Sequence, residues 1–212
     1  MNIALFGATG QTGKEFLEVA LNAGHNVKAL VRTPSKLDQD PSNSNLTIIQ
    51  GDVLEYNDVD ETVSGTDIVV SLFGHVKGSP DWLQTEGTKH IVDAMKTYHV
   101  DRIISLSGGG LPYPEKDQPG FADKMIRFIM KMAAGQILED AKQHAEVLKQ
   151  SGLDWTIVRA PRLTNGERKG EYREGWVGVN ASTSISRKDL ADFILKEVHE
   201  HDYPQQMPFV SY

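Results

Sequence analysis

A glycine-rich stretch near the start of the chain constrains the fold more than any other feature. The segment GATGQTG, residues 7–13, directly follows the short apolar run NIALF at residues 2–6. An apolar run without helical period is typical of a strand buried on both faces, whereas the residues after the glycines, QTGKEFLEVALNAG, have the period of an amphipathic helix. The stretch therefore predicts a strand, a tight turn and a helix start, whose unpaired N–H groups and dipole form an anion site.

Each glycine of this stretch has an expected role. Gly7 permits the turn, the bare backbone at Gly10 allows a diphosphate to approach, and Gly13 lets the helix pack closely on the strand. The spacing is GxxGxxG rather than GxGxxG, and a purely structural turn is the alternative interpretation. We favour dinucleotide binding, with these residues in contact with the cofactor: Gly7, Ala8, Thr9, Gly10, Gln11, Thr12 and Gly13.

Strand-like and helix-like segments alternate along the rest of the chain. Further strands are predicted at 26–31, 46–50, 67–73, 102–107 and 154–160, and further helices near 55–64, 82–99 and 121–150. This alternation predicts an α/β fold, a Rossmann-type doubly wound parallel sheet with helices on both faces. No segment resembles a linker, so we expect one domain over residues 1–212. Within it, residues 163–186 form a small substrate-side insertion, irregular with a possible hairpin, beyond the ligand-binding ends of the strands.

The end of the second strand indicates which dinucleotide binds. An NAD enzyme usually has an acidic residue there, which holds the ribose hydroxyls. This chain has ALVRTPSKL instead, so that Arg32 ends the strand and Lys36 follows. Both cations suit the 2′-phosphate of the adenosine, and we predict NADP(H). The alternative is that Arg32 and Lys36 are merely solvated surface residues. Asp38 and Asp40 are expected at the surface.

Residues after the third and fourth strands extend the predicted cofactor site. We place Asp52 and Val53 beside the adenine, with capping of the next helix as the alternative role of Asp52. The segment SLFG ends the fourth strand, so Leu72, Phe73 and Gly74 are expected near the diphosphate and the nicotinamide ribose. His75 follows directly, and a lone histidine on a loop is more often incidental than catalytic.

The composition excludes several classes of function. The chain has no cysteine, which removes disulfides, thiolate nucleophiles and thiolate metal sites, and we expect no metal. Its net charge of −7 argues against direct binding to nucleic acid. We find neither a signal-peptide pattern nor an apolar stretch that approaches a membrane span, and expect a cytoplasmic monomer or homodimer that acts on a small molecule.

Six segments together resemble a known family over about residues 1–200. They are GATGQTG, LVRTPSKL, GDVLE, RIISLSGGG, AKQHAEVLKQSGLDWTIVRAPRL and ISRKDLADFIL. This set is similar to the atypical branch of the short-chain dehydrogenase/reductase superfamily, which includes the NmrA-like and the biliverdin-B/flavin reductase-like proteins. The resemblance implies a Rossmann sheet with a short substrate-binding portion after the sixth strand.

The resemblance also implies catalytic residues, and one of them is missing. Catalytically complete members have a Ser after the fifth strand and a Tyr-x-x-x-Lys on the following helix. Ser107 and Lys142 match this pattern, but Leu138 occupies the Tyr position. Ser107 is therefore expected to line the site, with Ser105 pointing to the other face. Lys142 either reaches the nicotinamide ribose or pairs with Glu146 on a solvated helix face.

Further residues follow from the same resemblance. Pro161 is expected beside the nicotinamide end of the cofactor. Arg159 or Arg162 could meet an anionic substrate or a neighbouring loop, with a structural ion pair as the alternative for Arg159. Asp189 is expected to be a structural partner rather than a catalyst. Helix 121–150 carries several exposed or buried apolar residues and is expected to be core and pocket wall, or else a partner surface.

Two functions remain open from the sequence. One is an NADP(H)-dependent reductase whose acceptor, a flavin, quinone or linear tetrapyrrole, stabilises its own negative charge and so needs no catalytic Tyr. The other is a redox-sensing regulator that binds NADP(H) without turnover and acts through a protein partner, as NmrA-like proteins are thought to do. An isomerase that uses bound NAD is less favoured, because it would need the missing Tyr.

Overall fold

The computed structural model describes residues 1–37 and 43–212, and for residues 122, 127, 130 and 131 it describes the backbone alone. Asp38 and Asp40 lie outside the described residues. Ten strands are present: β1 Asn2–Phe6, β2 Asn26–Val31, β3 Leu46–Gln50, β4 Ile68–Ser71, β5 Arg102–Gly108, β6 Asp154–Ala160, β7 Arg162–Thr164, β8 Arg173–Gly175, β9 Ser184–Ser186 and β10 Phe209–Ser211. Five α-helices connect them: α1 Gln11–Asn22, α2 Tyr56–Val63, α3 Leu83–Tyr98, α4 Phe121–Gln150 and α5 Arg187–Glu200.

Eight of these strands form one twisted sheet in the order β3-β2-β1-β4-β5-β6-β10-β8. Every pair is parallel except β10 with β8. The chain order reverses between β1 and β4, and in an open parallel sheet the crevice at such a point is where ligands bind. The predicted doubly wound α/β fold is confirmed.

Apolar side chains cover both faces of the sheet. On one face α1 packs against α5 through fully buried residues such as Phe16 and Phe193. On the other face α2, α3 and α4 bury Val59, Ile91 and Leu148. Each fully buried side chain of this size contributes about 1.5–3 kcal/mol, so the two layers together hold the strand ends in fixed positions.

The insertion is built differently from the expected hairpin. Strands β7 and β9 pair in parallel as a separate two-stranded sheet, and β8 joins the edge of the main sheet beside β10. A single bridge between Trp176 and Val179 is the hairpin-like element in the described part of this segment. The hairpin prediction is therefore wrong, because β7 pairs with β9 and β8 pairs with β10, and neither pair is adjacent along the chain.

Asp189 anchors the insertion to α5. Its carboxylate is fully buried and accepts hydrogen bonds from the backbone of Lys169 and Gly170 and from the hydroxyls of Tyr212 and Ser186. Burial opposes ionisation, but these hydrogen bonds outweigh it and lower the pKa of Asp189. The predicted structural role of Asp189 is consistent with this network.

The first half of α4 leaves its apolar residues in solvent. A helix of 30 residues is about 45 Å long, whereas a seven-residue strand such as β6 spans about 23 Å, so the helix extends beyond the sheet. The backbone departs from helical geometry at Ala134. Among the described side chains, the large apolar ones exposed before this point are Phe121, Met125, Ile126, Phe128, Ile129 and Met132. The expectation of a core position is wrong for these six residues, whereas Ile126 borders a cavity, as expected of a pocket wall. The side chain of Met130 lies outside the described part of the chain. Within the described residues, we find no helix with the length and apolar character that a bilayer span requires.

Candidate functional site

A cavity of about 380 Å³ opens at the point where the strand order reverses. It extends from the ends of β2 and β3, past the glycine turn, to the residues that follow β4. The predicted residues that line it are Gly7, Thr9, Gly10, Gln11, Thr12, Arg32, Asp52, Val53, Leu72, Phe73 and Gly74. The strand ends come together here because all the strands concerned are parallel, so that residues distant in sequence share one edge.

Close packing explains why the turn is made of glycines. Gly7 has φ of +89°, and a Cβ there would lie 2.5 Å from the backbone nitrogen of Phe73. A Cβ at Gly13 would lie 2.1 Å from the carbonyl oxygen of Gly7. Ala8 and Gly13 are buried beneath the turn and do not line the cavity. They support the cradle, while Gly10 and its neighbours form its surface.

The first turn of α1 presents unpaired donors to this cavity. Gly10 is the N-cap, no side chain caps the helix, and no acidic residue lies in its first turn. The amide of Gly10 donates to the carbonyl of Gly7 at 2.9 Å, which closes the turn. A helix N-terminus of this kind attracts anions through its free N–H groups and its dipole. A cradle that a Cβ would fill, beside uncapped donors, fits a diphosphate.

Arg32 and Asp52 form the opposite end of the cavity. The Nη1 atom of Arg32 lies 3.9 Å from the Oδ2 atom of Asp52, which is too far for a hydrogen bond, and the guanidinium is largely exposed. Asp52 accepts a hydrogen bond from the amide of Leu54 at 3.0 Å, and the N-cap of α2 is Glu55. The capping alternative for Asp52 is therefore wrong. Lys36 is exposed on a short 3₁₀ turn and does not line the cavity.

A histidine and a buried carboxylate stand at the β4 end. His75 lines the cavity, and its Nε2 atom lies 2.6 Å from the Oδ2 atom of Asp140 on α4. The carboxylate also accepts from the backbone of Gln84 and Thr85, at 2.9 Å each, and from the Thr85 hydroxyl. Burial opposes ionisation, but these hydrogen bonds lower the pKa of Asp140. No sequence signal pointed to this pair, since 65 residues separate its members.

Ser107 carries a buried hydroxyl for which the described part of the protein offers no hydrogen-bond partner. It lies one residue before the end of β5, the neighbour of β4 in the sheet. Ser105 bonds through Oγ to the Nε2 atom of His144, 3.1 Å away on α4. Residues two apart in a strand share a face, so the expectation that the two serines face opposite ways is wrong. An unsatisfied buried hydroxyl costs about 1–3 kcal/mol, which a polar ligand group would offset.

A second cavity, of about 530 Å³, lies beside the end of β5. Gly108, Gly109 and Gly110 form its floor, and Pro161 and Arg162 border it. Its other walls are Asp123, Ile126, Ala160, Val177, Ser182, Thr183 and Phe209. Pro161 therefore belongs to this cavity rather than to the first one. Ser107 directly precedes Gly108 on β5 but lines neither cavity, so the structure does not place this predicted residue at the surface of either one.

Lys142 and Arg159, two residues predicted to contact the cofactor or the substrate, line neither cavity. Lys142 is half-exposed and pairs with Glu139 at 3.0 Å, rather than with Glu146. The inner face of α4 is formed by Asp140, His144 and Leu148, so the side of the helix that carries Lys142 turns away and Lys142 lines neither cavity. The structure therefore does not bring Lys142 to the predicted site.

Arg159 is fully buried and forms an ion pair with Asp117 at 2.8 Å. The alternative of a structural ion pair is confirmed, and contact of Arg159 with a substrate is wrong. Arg162 is the arginine of this segment that reaches a cavity.

Comparisons with known proteins agree with this geometry. A family model described as NAD(P)H-binding matches residues 7–201. The chain is 25% identical to the reductase pytE of Aspergillus terreus, and the match covers 99% of this chain and 97% of the relative.

Solved structures share the fold at lower identity. The anaerobillin reductase ChuY of Escherichia coli O157:H7 superposes with a TM-score of 0.80 at 19% identity, over 100% of this chain and 97% of the other. A short-chain dehydrogenase/reductase of Veillonella parvula, in complex with NADP, has a TM-score of 0.80 at 19% identity, over 100% and 94% of the two chains. These likenesses show the fold that the six sequence segments predicted.

Proposed function

The chain belongs to the NAD(P)H-binding family, and from that premise we propose that it is an NADP(H)-dependent reductase of the atypical short-chain dehydrogenase type. Its acceptor is a flavin, a quinone or a similar conjugated molecule.

The residues of the first cavity suit NADP(H). The glycine cradle and the N-terminus of α1 would hold the diphosphate, and Asp52 and Val53 would hold the adenine. Arg32, whose guanidinium is largely exposed and only distantly paired with Asp52, would hold the 2′-phosphate, together with Lys36. When bound, the cofactor supplies the hydride.

The second cavity suits the acceptor. Gly108, Gly109 and Gly110, which follow Ser107 along the chain, line this cavity, and their lack of side chains leaves room for a flat molecule. Pro161 and Phe209 offer apolar walls. Ser107, whose hydroxyl is buried without a protein partner, is proposed to hold a polar group of the cofactor or acceptor. The observation that carries the proposal is this buried hydroxyl without a partner among the described residues, on the residue directly before Gly108 of the second cavity.

The missing Tyr narrows the class of acceptor. Neither cavity has a tyrosine among its lining residues. An ordinary ketone needs a proton donor as the hydride arrives, whereas a conjugated acceptor spreads the negative charge over its own atoms. The relatives described as reductases, pytE and ChuY, support hydride transfer in general and leave the acceptor to experiment.

The experiment is oxidation of NADPH by the purified protein, followed by absorbance with a panel of flavins, quinones and linear tetrapyrroles. We expect turnover above the uncatalysed rate with at least one member, and loss of that turnover in Gly13→Ala, which removes the cradle. Tight binding of NADPH with no turnover across the panel would contradict a reductase.

One observation favours a second candidate function, a regulator that binds NADP(H) and acts through a protein partner. The first half of α4 exposes Phe121, Phe128 and Met132, which form a large apolar surface. A regulator would bind the cofactor without turnover and would retain a partner on affinity resin. Substitution of Phe128 by Ser would release that partner and leave cofactor affinity unchanged.

A further inference from the structure

His75 is held in one orientation at the edge of the first cavity. Its side chain is 9% exposed and its Nε2 atom is bonded to Asp140. No other polar atom of the described residues contacts the ring, so Nδ1 is the nitrogen without a protein partner. Because His75 lines the cavity, Nδ1 is the ring atom available to a ligand there.

Asp140 fixes this orientation from a rigid position. Its side chain is completely buried, and its carboxylate accepts four hydrogen bonds. One comes from His75, one from the backbone of Gln84, and two from the backbone and the hydroxyl of Thr85. The two amides belong to the first turn of α3. The carboxylate therefore links α4, α3 and the residues after β4, and the ring cannot rotate without breaking the short bond to Nε2.

An ionised carboxylate bonded to one nitrogen of an imidazole has two chemical effects. It holds the neutral ring with its proton on Nε2, which leaves a lone pair on Nδ1. It also stabilises the doubly protonated ring, whose Nδ1–H then points away from the carboxylate. A group of this kind can pass a proton to a ligand through Nδ1, because that nitrogen is not bonded to the described part of the protein.

We propose that His75 is the catalytic acid of this protein and replaces the absent Tyr, with Asp140 as its positioning residue. This inference rests on the proposed reductase function. A conjugated acceptor can carry the charge of the hydride without a Tyr, but its reduced form still gains a proton, and an acid placed beside it speeds that step. An acceptor that has gained a hydride carries an extra electron pair on a nitrogen or oxygen atom. The Nδ1–H bond of His75 breaks as the N–H or O–H bond of the acceptor forms, and the neutral ring regains its proton from water.

The position of His75 is consistent with this role. It follows β4, whose neighbour β5 carries Ser107 and leads into the second cavity. Adenosine would occupy the opposite end of the first cavity, beside Arg32 and Val53. The reacting end of a dinucleotide that lies across the edge of the sheet would then face the His75 end.

The test compares three variants with the wild-type protein. His75→Gln keeps a donor for Asp140 but has no proton to transfer, and Asp140→Asn removes the charge behind the ring. His99→Asn is the matched control, because His99 is exposed at the far end of α3 with φ of +56°, a conformation that Asn tolerates. Affinity for NADPH is measured by calorimetry, and turnover is measured with a benzoquinone probe.

We expect His75→Gln to bind NADPH within about threefold of the wild-type affinity, while turnover falls by about 100-fold or more, the usual contribution of a general acid. In a fourth variant, His75→Ala, added imidazole should restore part of the turnover, which no purely structural role would produce. Turnover of Asp140→Asn should fall as well, and that of His99→Asn should not change.

A second readout does not depend on activity. Nitrogen NMR of the wild-type protein should show the neutral His75 ring protonated on Nε2, with an Nδ1 signal that shifts when NADP⁺ is added while the signals of His99 stay constant. A proton on Nδ1 of the neutral ring, or unchanged turnover in His75→Gln, would overturn the role of His75 and leave the reductase intact. Binding of NADPH with no turnover in the wild type would overturn the reductase and His75 as its acid together.

Discussion

Arg159 and Asp117 form a bidentate ion pair that is shielded from solvent. Nη1 and Nη2 of the arginine lie 2.9 and 2.8 Å from the two carboxylate oxygens, and neither side chain is more than 1% exposed. Asp117 also accepts from the amides of Tyr113 and Val177, and Arg159 donates to the carbonyl of Met207. The pair joins β6 to loop 110–120 and to the insertion that walls the second cavity.

Removal of one partner of this pair should destabilise the protein strongly. Asp117→Asn leaves a buried guanidinium without its counter-charge, and we expect the free energy of unfolding to fall by about 3–5 kcal/mol. Urea unfolding measures the change. Glu167→Gln, which removes a surface pair with Lys188, is the control and should have no measurable effect. Equal stability of the two variants would contradict the structural role of the buried pair.

Gly13→Ala should abolish cofactor binding. Its Cβ would lie 2.1 Å from the carbonyl oxygen of Gly7, so the turn and the first helix must move apart. We expect no measurable heat on titration with NADPH, and a lower free energy of unfolding. Gly135→Ala in α4 is the control, because its Cβ would meet no atom within 4 Å and Ala is favoured in helices by about 1 kcal/mol. Normal NADPH affinity in Gly13→Ala would show that the cradle is not the binding site.

Arg32→Ala should weaken NADPH and leave NADH unaffected. The guanidinium is proposed to bond the 2′-phosphate, and a hydrogen bond to a charged group contributes about 1.5–3 kcal/mol, which corresponds to a loss of affinity of roughly 10-fold to 100-fold. Calorimetry with both cofactors measures the ratio. Arg168→Ala, which removes an exposed pair with Asp192, should leave the ratio unchanged. If the wild type prefers neither cofactor, the assignment of the phosphate to Arg32 is wrong.

Ser107→Ala and Ser105→Ala should change stability in opposite directions. The Ser107 hydroxyl is buried without a partner, so its removal should raise the free energy of unfolding of the free protein by about 1–3 kcal/mol. The Ser105 hydroxyl is bonded to His144, so its removal should lower that energy. Urea unfolding without ligand measures both changes. Ser107→Ala should also lower turnover with the acceptor panel, and a destabilised Ser107→Ala protein would show that its hydroxyl is already satisfied.

Buried His144 should make the protein less stable in mild acid. Burial lowers the pKa of His144 from 6.5 to about 4, with a smaller opposing effect of Asp140. Below pH 6.5 the histidine is protonated in the unfolded chain but stays neutral in the folded chain. The stability that the neutral His144 contributes is therefore complete above pH 6.5 and is lost as the pH falls toward 4. Between pH 7 and 5 the loss is about 2 kcal/mol.

His144→Gln isolates this contribution. The amide can still bond Thr88 and Ser105, but it does not titrate. The pKa of His25 is also lowered, by burial and then by the positive charge of the N-terminus and by His199, and it affects both proteins equally. The difference in slope of unfolding energy against pH between wild type and variant therefore belongs to His144, and parallel slopes would show that His144 is already protonated in the folded state.

The local pattern of the chain predicted the fold and most of the residues that line the first cavity. Strands β1, β2, β3 and β6 begin and end where the strand-like runs do. For β1 and β6 the reason is burial on both faces, which favours mostly apolar residues. Gly7 and Gly13 were interpretable from sequence, since a turn between a strand and a helix imposes its geometry within a few residues. The position of Arg32 at the cavity was predictable for the same reason, because it directly follows β2, whose bounds are set by the local sequence.

The polar contacts between distant residues depended on tertiary structure. Asp140 is 65 residues from His75, and Arg159 is 42 residues from Asp117, so no spacing along the chain indicates either pair. The outward direction of Lys142 follows from the packing of Asp140, His144 and Leu148 against the rest of the protein, and the exposure of Phe128 follows from how far α4 runs beyond the sheet. Sequence determined which elements form and in what order they assemble, since those depend on local periodicity. Only the packed structure decided which side chains meet, because a hydrogen bond depends on distances in space that the sequence does not express.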